Sequence, residues 1–117
     1  MNKPGIVTAI PKRRYKFGEF NVVILGEIES NDGIGYHLIT AVVRDTDPDP
    51  GLYLTAERTP GADAQNGVYT MRIIMRDGVE VLGTSDAWHD VEVFANETLD
   101  IMRRVLNLTD EVPYRLM

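Results

Sequence analysis

Val68-Tyr69-Thr70-Met71-Arg72-Ile73-Ile74-Met75-Arg76-Asp77-Gly78-Val79-Glu80-Val81-Leu82-Gly83-Thr84-Ser85 reads as two β-strands joined by a tight turn. An Asp-Gly pair between alternating apolar residues is the strongest short-range hairpin signal, because it accepts positive φ at both central positions and so matches the twist of paired strands. The spacing predicts strands Val68–Arg76 and Val79–Ser85, with Gly78 in the turn. Arg76 then opposes Val79, Met75 opposes Glu80, Ile74 opposes Val81, and Ile73 opposes Leu82. Antiparallel pairing is thereby set, and the neighbouring segments extend it in both directions.

Upstream, Leu52 to Arg58 is expected to be a strand, preceded by Asp45-Thr46-Asp47-Pro48-Asp49-Pro50-Gly51, where prolines and a glycine interrupt any ladder. Tyr36 to Asp45 is a further strand. Tyr15 to Glu29 is one long or kinked strand, with Gly18 and Gly26 as places for bulges. Residues 1–14 carry Pro4, Gly5 and Pro11 around a short apolar patch and read as an extended basic arm, at most an edge strand at Ile6–Ile10.

Downstream the periodicity changes. At about 100° per residue, Val91, Phe94, Ala95, Leu99, Ile101, Met102, Val105 and Leu106 share an arc of roughly 160°, with Thr98 its only polar member. A helix over residues 90–107 follows, with Met102 in the core. Asp86, Asp90 and Glu92 suit its positive end, while Arg103 and Arg104 suit its negative end. Asp100 is placed to pair with Arg104, and Asn107 to stop the helix in a left-handed conformation. The expected architecture is α+β: an antiparallel β-meander of about five strands with one C-terminal amphipathic helix packed on one sheet face. Residues 15–108 form a single domain and residues 109–117 a tail.

The 117-residue chain is long enough to bury a core without staples. Its 44% hydrophobic and 26% charged residues are ordinary globular usage, so disorder is not expected. There is no Cys, which excludes disulfides, thiolate metal sites and cysteine nucleophiles, and suits a reducing, cytoplasmic compartment. Neither a signal peptide nor a membrane span is expected, since the longest aliphatic run is Val22-Val23-Ile24-Leu25. The net charge of −6 is uneven: residues 1–16 carry +5 and every Lys, whereas the remainder carries −11.

Candidate chemistry is sparse. The acidic run from Asp45 departs from a calcium loop in its glycine position and in Ala56, which stands where a bidentate Glu is required. His37 and His89, the two histidines, lack short ligand spacing for a metal. Ser85, His89 and Asp90 contain the elements of a hydrolytic triad, but Ser85 is not in a nucleophile elbow, and Asp86 and Asp90 fit helix capping. Gly33-Ile34-Gly35 has no following helix for a phosphate loop. Glu27 and Glu29 share a strand face without further support for acid–base work. No catalytic residue, metal site or cofactor is therefore assigned.

Lys12, Arg13, Arg14, Tyr15 and Lys16, followed by Phe17, form the candidate partner-binding segment, since cations interleaved with aromatics suit single-stranded nucleic acid. Set against this are the acidic remainder of the chain and the expectation that the segment lies over acidic surface of its own chain or of a second subunit. The leading expectation is a cytoplasmic, non-enzymatic binding or assembly protein acting through protein contacts, most simply as a homodimer. The strands are apolar on both faces, whereas one helix covers only one. Val23, Leu25, Leu38, Val42, Ile74, Val79 and Val81 are the candidate oligomer face. A single-stranded nucleic-acid binder is the alternative, and a small-ligand enzyme with a helix–sheet pocket near Trp88 and His89 is the third reading.

Overall fold

The structure is a computed structural model that describes residues 3–117, apart from the side chains of Ala62 and Asp63. It is an α+β fold with one antiparallel sheet of seven strands and one helix packed against it. The strands are β1 (Ile6–Phe17), β2 (Phe20–Ser30), β3 (Tyr36–Arg44), β4 (Leu52–Arg58), β5 (Tyr69–Met75), β6 (Gly78–Ser85) and β7 (Tyr114–Arg115), and the helix is α1 (Val91–Val105). Their order across the sheet is β6-β5-β4-β3-β2-β1-β7, so the first six strands lie in chain order.

The two strands beyond the expected five are β1 and β7. Residues 6–14, expected within an arm, are the first part of β1, while Met1 and Asn2 lie outside the described residues. Gly18, expected as a bulge inside one long strand, instead has φ 58° in the turn that divides β1 from β2, where Phe17 pairs with Phe20. Pro11 is tolerated because it sits at a register shift, where β1 has no strand on its outer side. Farther along, β7 brings part of the tail back: Arg115 pairs with Tyr15 and Tyr114 with Lys16.

The 68–85 hairpin forms with a two-residue turn, as expected, but displaced by one position toward the N-terminus. Met75 pairs with Gly78, leaving Arg76 and Asp77 as the turn, and Ile74 then opposes Val79. Gly78 is not among the residues with positive φ; that role falls to Gly83, at φ 154°, beside the bulge between Arg72↔Val81 and Met71↔Gly83. Because the register differs by two positions at the turn, each side chain keeps its expected face.

Helix α1 starts at Asp90, whose carboxylate accepts the amides of Glu92 (2.7 Å) and Val93 (3.3 Å). Asp100 pairs with Arg104 at 3.3 Å, and Asn107 adopts φ 55° just past the helix. Phe94, Ala95, Thr98, Leu99 and Met102 are buried against the sheet. Beneath them lie Phe17, Val22, Ile24, Leu54 and Met71, which together make the main core.

A second cluster of Tyr36, Ile39, Ala41, Tyr53 and Ile74 occupies the opposite face. Pairing assigns the faces of β3: Val42 is opposite Val22 and lies under the helix, whereas Ala41 is opposite Val23 and Ile39 opposite Leu25 on the other side. Leu38 and Val42 are thus corrected from the expected oligomer face to the helix face. Since β3 is apolar on both faces, its own alternation could not decide between them.

Candidate functional site

The basic segment is distributed by the strand period of two. Tyr15 and Phe17 point into the main core, at 7% and 0% exposure, so neither is free to stack on a base. Lys12 pairs with Glu27, Arg13 with Glu92, and Lys16 with Asp45. The bond from Lys16, reinforced by Asn21, holds the Asp45 carboxyl below the usual carboxylate range. In the same acidic turn Asp47 accepts the amide of Asp49 at 3.0 Å.

The two histidines meet. The rings of His37 and His89, 52 residues apart in sequence, are nearly parallel (6°) with centroids 5.1 Å apart. Tyr69 stacks on His37 at 4.9 Å. His37 donates from Nε2 to the carbonyl of His89 at 2.9 Å, and the Tyr69 hydroxyl lies 3.2 Å from His89 Nδ1. A β-bulge makes this possible. Tyr36 belongs to the second cluster, on the face away from α1, and Leu38 to the helix-side core although they are two residues apart, so the extra residue His37 turns to the helix side. A second irregularity lies close by, where Glu27 adopts φ 47°, uncommon for a non-glycine residue. Between them is an open groove of about 540 Å³, lined by Lys12, Glu27, His37, Arg58, His89 and Val91.

This geometry is neither a triad nor a metal centre. Ser85 Oγ accepts the amide of Ala87 at 3.0 Å, Asp90 caps α1, and His89 faces Tyr69. Stacked face to face, the imidazoles hold their nitrogen lone pairs in parallel planes that do not converge on one ion. Among the described residues no three His, Asp or Glu side chains are grouped to hold a metal. Trp88 does not line the groove; it is buried with its indole N–H donated to Glu97.

On the sheet face away from α1, the second cluster is flanked by Ile6, Val23, Leu25, Ile28 and Ile34. All its members come from β1–β5 or the β2–β3 turn, and α1 contributes none. Beside it Glu57 accepts from Arg72 Nε (2.5 Å) and from Thr55 Oγ1 (2.6 Å) through one carboxylate oxygen. At its β6 side Val79 and Val81 are 39% and 61% exposed. Of the expected contact residues, Val23, Leu25, Ile74, Val79 and Val81 are on this face. The Thr55–Glu57–Arg72 network was missed by sequence reasoning, because the long β4–β5 loop hides the register that sets Thr55 opposite Arg72.

Comparison with protein-family models, with curated proteins and with solved structures gives no significant match. Among the described residues no helix is long and apolar enough to cross a membrane.

Proposed function

We propose that the protein is a homo-oligomeric assembly module of the cytoplasm that works by protein–protein contact through the sheet face opposite α1. The observation that carries this reading is the second apolar cluster, to which α1 contributes no residue: its centre is buried, but its flank of Ile6, Val23, Leu25, Ile28 and Ile34 is only partly buried. An apolar sheet face is ordinarily packed against a second layer, and a second copy supplies that layer without any further component. The exposed Val79 and Val81 extend the apolar surface to the edge of the sheet. β6 is an edge strand with Glu80 as its one charge and no proline, and its bulge is confined to the Gly83 end, past Val79 and Val81, which pair with Ile74 and Arg72.

The basic segment supports protein contact over nucleic-acid binding, because its aromatics are committed to the core and three of its cations to carboxylates of the same chain. Sedimentation velocity at micromolar concentration tests the proposal. The expected result is a species heavier than the 13.1 kDa monomer that dissociates in a Val81→Lys variant; a single monomeric species for the unaltered protein overturns it.

A further inference from the structure

The geometry points to the groove beside His37 and His89 as a binding site for an oxyanion, the carboxylate or phosphate group of a small ligand. Independent of how the chain assembles, this inference rests on which polar groups around the groove already have partners. His37 uses its Nε2 hydrogen on the His89 carbonyl, which can only accept, so its tautomer is set. His89 Nδ1 is engaged by the Tyr69 hydroxyl at 3.2 Å and Nε2 has no partner among the described residues; in the tautomer in which the hydroxyl donates, as in the doubly protonated ring, Nε2 carries a hydrogen and is a donor.

Arg58 supplies the charge. Its aliphatic stem lies against Gly35, its backbone amide is tied to the Gly35 carbonyl at 2.9 Å, and among the described residues its guanidinium is in no ion pair. That fork is suited to planar or tetrahedral oxyanions. Two carboxylates lie close by and both are occupied: Glu27 pairs with Lys12, and Asp90 accepts the first amides of α1. The groove therefore presents a guanidinium and an imidazole donor in a chain whose residues beyond 16 carry −11. The two backbone irregularities converge there as well. The bulge places His37 in the groove, and Glu27 in its left-handed conformation sets the rim, an arrangement that regular strands would not produce.

Because the chain has two histidines, a ring-selective NMR spectrum of the full-length protein contains two imidazole signals, and both report on this site. At fixed pH, the protein is titrated separately with inorganic phosphate, acetate and sodium chloride. The expected result is saturable movement of the histidine signals with phosphate, acetate or both, whichever is bound naming the headgroup, and none with chloride. Arg58→Gln should weaken binding about tenfold or more, the loss of one charge-assisted contact, with an unchanged melting temperature. Glu27→Gln frees the Lys12 ammonium and should tighten it. Absence of saturable movement, equal movement with chloride, an unaltered titration in Arg58→Gln, or weakening in both variants would each overturn the proposal.

Discussion

The hydroxyls of Thr40, on β3, and Thr98, on α1, meet 2.9 Å apart in the fully buried space between sheet and helix. Thr98 also donates back to the Ala95 carbonyl at 3.2 Å, so Thr40 is left to donate to Thr98. The one polar residue in the helix's apolar arc is thus the point at which helix and sheet are registered to each other. Replacing Thr98 by Val keeps the volume and strands a buried hydroxyl on Thr40, which costs about 1–3 kcal/mol. The double variant Thr40→Val/Thr98→Val should recover most of that loss. Chemical denaturation of the two variants measures it, and equal destabilisation in both would rule out the pair as the source.

Glycine tolerance should follow backbone geometry rather than the turn motif. Gly67 has φ 147°, and a β-carbon there would stand 2.8 Å from the Ser85 amide nitrogen, so Gly67→Ala should lower the melting temperature clearly. Gly78 has open space around it and no positive φ, and Gly78→Ala should melt with the parent protein.

The Arg72–Glu57 pair is largely enclosed, its side chains 22% and 11% exposed. Arg72→Met leaves Glu57 with Thr55 as its remaining partner and should destabilise the fold by up to about 3 kcal/mol, the buried-pair range reduced for partial exposure. Arg72→Met combined with Glu57→Gln should lie much closer to the parent. Urea midpoints decide between these outcomes.

Tyr36 and Asp32 link stability to pH at both extremes. Burial first, and then donation to Asp32 at 2.7 Å, push the Tyr36 hydroxyl well above its ordinary value. Burial opposes ionisation of Asp32, yet bonds from Tyr36 and from the amides of Gly5 and Ile34 together hold its carboxyl below the usual range. The tyrosine contribution is complete below about pH 10 and is lost as pH rises beyond it. The aspartate contribution is complete above about pH 4 and is lost as pH falls. Tyr36→Phe should therefore be less stable at neutral pH and show flatter limbs on both sides, read from urea midpoints across a pH series.

Neutralising Lys12, Arg13, Arg14 and Lys16 together should reduce stability and leave single-stranded DNA binding as weak as in the parent. Were these cations a phosphate clamp, each contact would add nearly one to the slope of log affinity against log salt. A fluorescence titration at low salt that finds tight binding, abolished in this variant, would reverse that reading.

Local features were legible in the sequence and long-range ones were not. The 68–85 hairpin and α1 are specified by residues a few positions apart, and both formed with their apolar sides as expected. Thr98 stood out in the arc, but its partner Thr40 lies 58 residues away on a strand apolar on both faces. β1 was obscured because Pro4, Gly5 and Pro11 signal irregular chain locally, while its pairing with β2 supplies the context that overrides them. The meeting of His37 and His89 depends on a bulge, and nothing in the alternation of residues 36–44 marks where an extra residue is accommodated.

A sheet laid down in chain order also has a kinetic character. From β1 to β6 each strand joins one already next to it in the chain, so the early pairings close only short loops and the entropy lost at each step is small. The exception is β7, which reaches back from Arg115 to Tyr15 and encloses about 100 residues in a single loop for the sake of two paired positions. With so few bonds holding so long a closure, that edge is an independent unit of opening. The amide of Leu116, bonded to the Arg14 carbonyl at 2.8 Å, should exchange with solvent far sooner than those of β3 and β4, while the rest of the sheet stays closed.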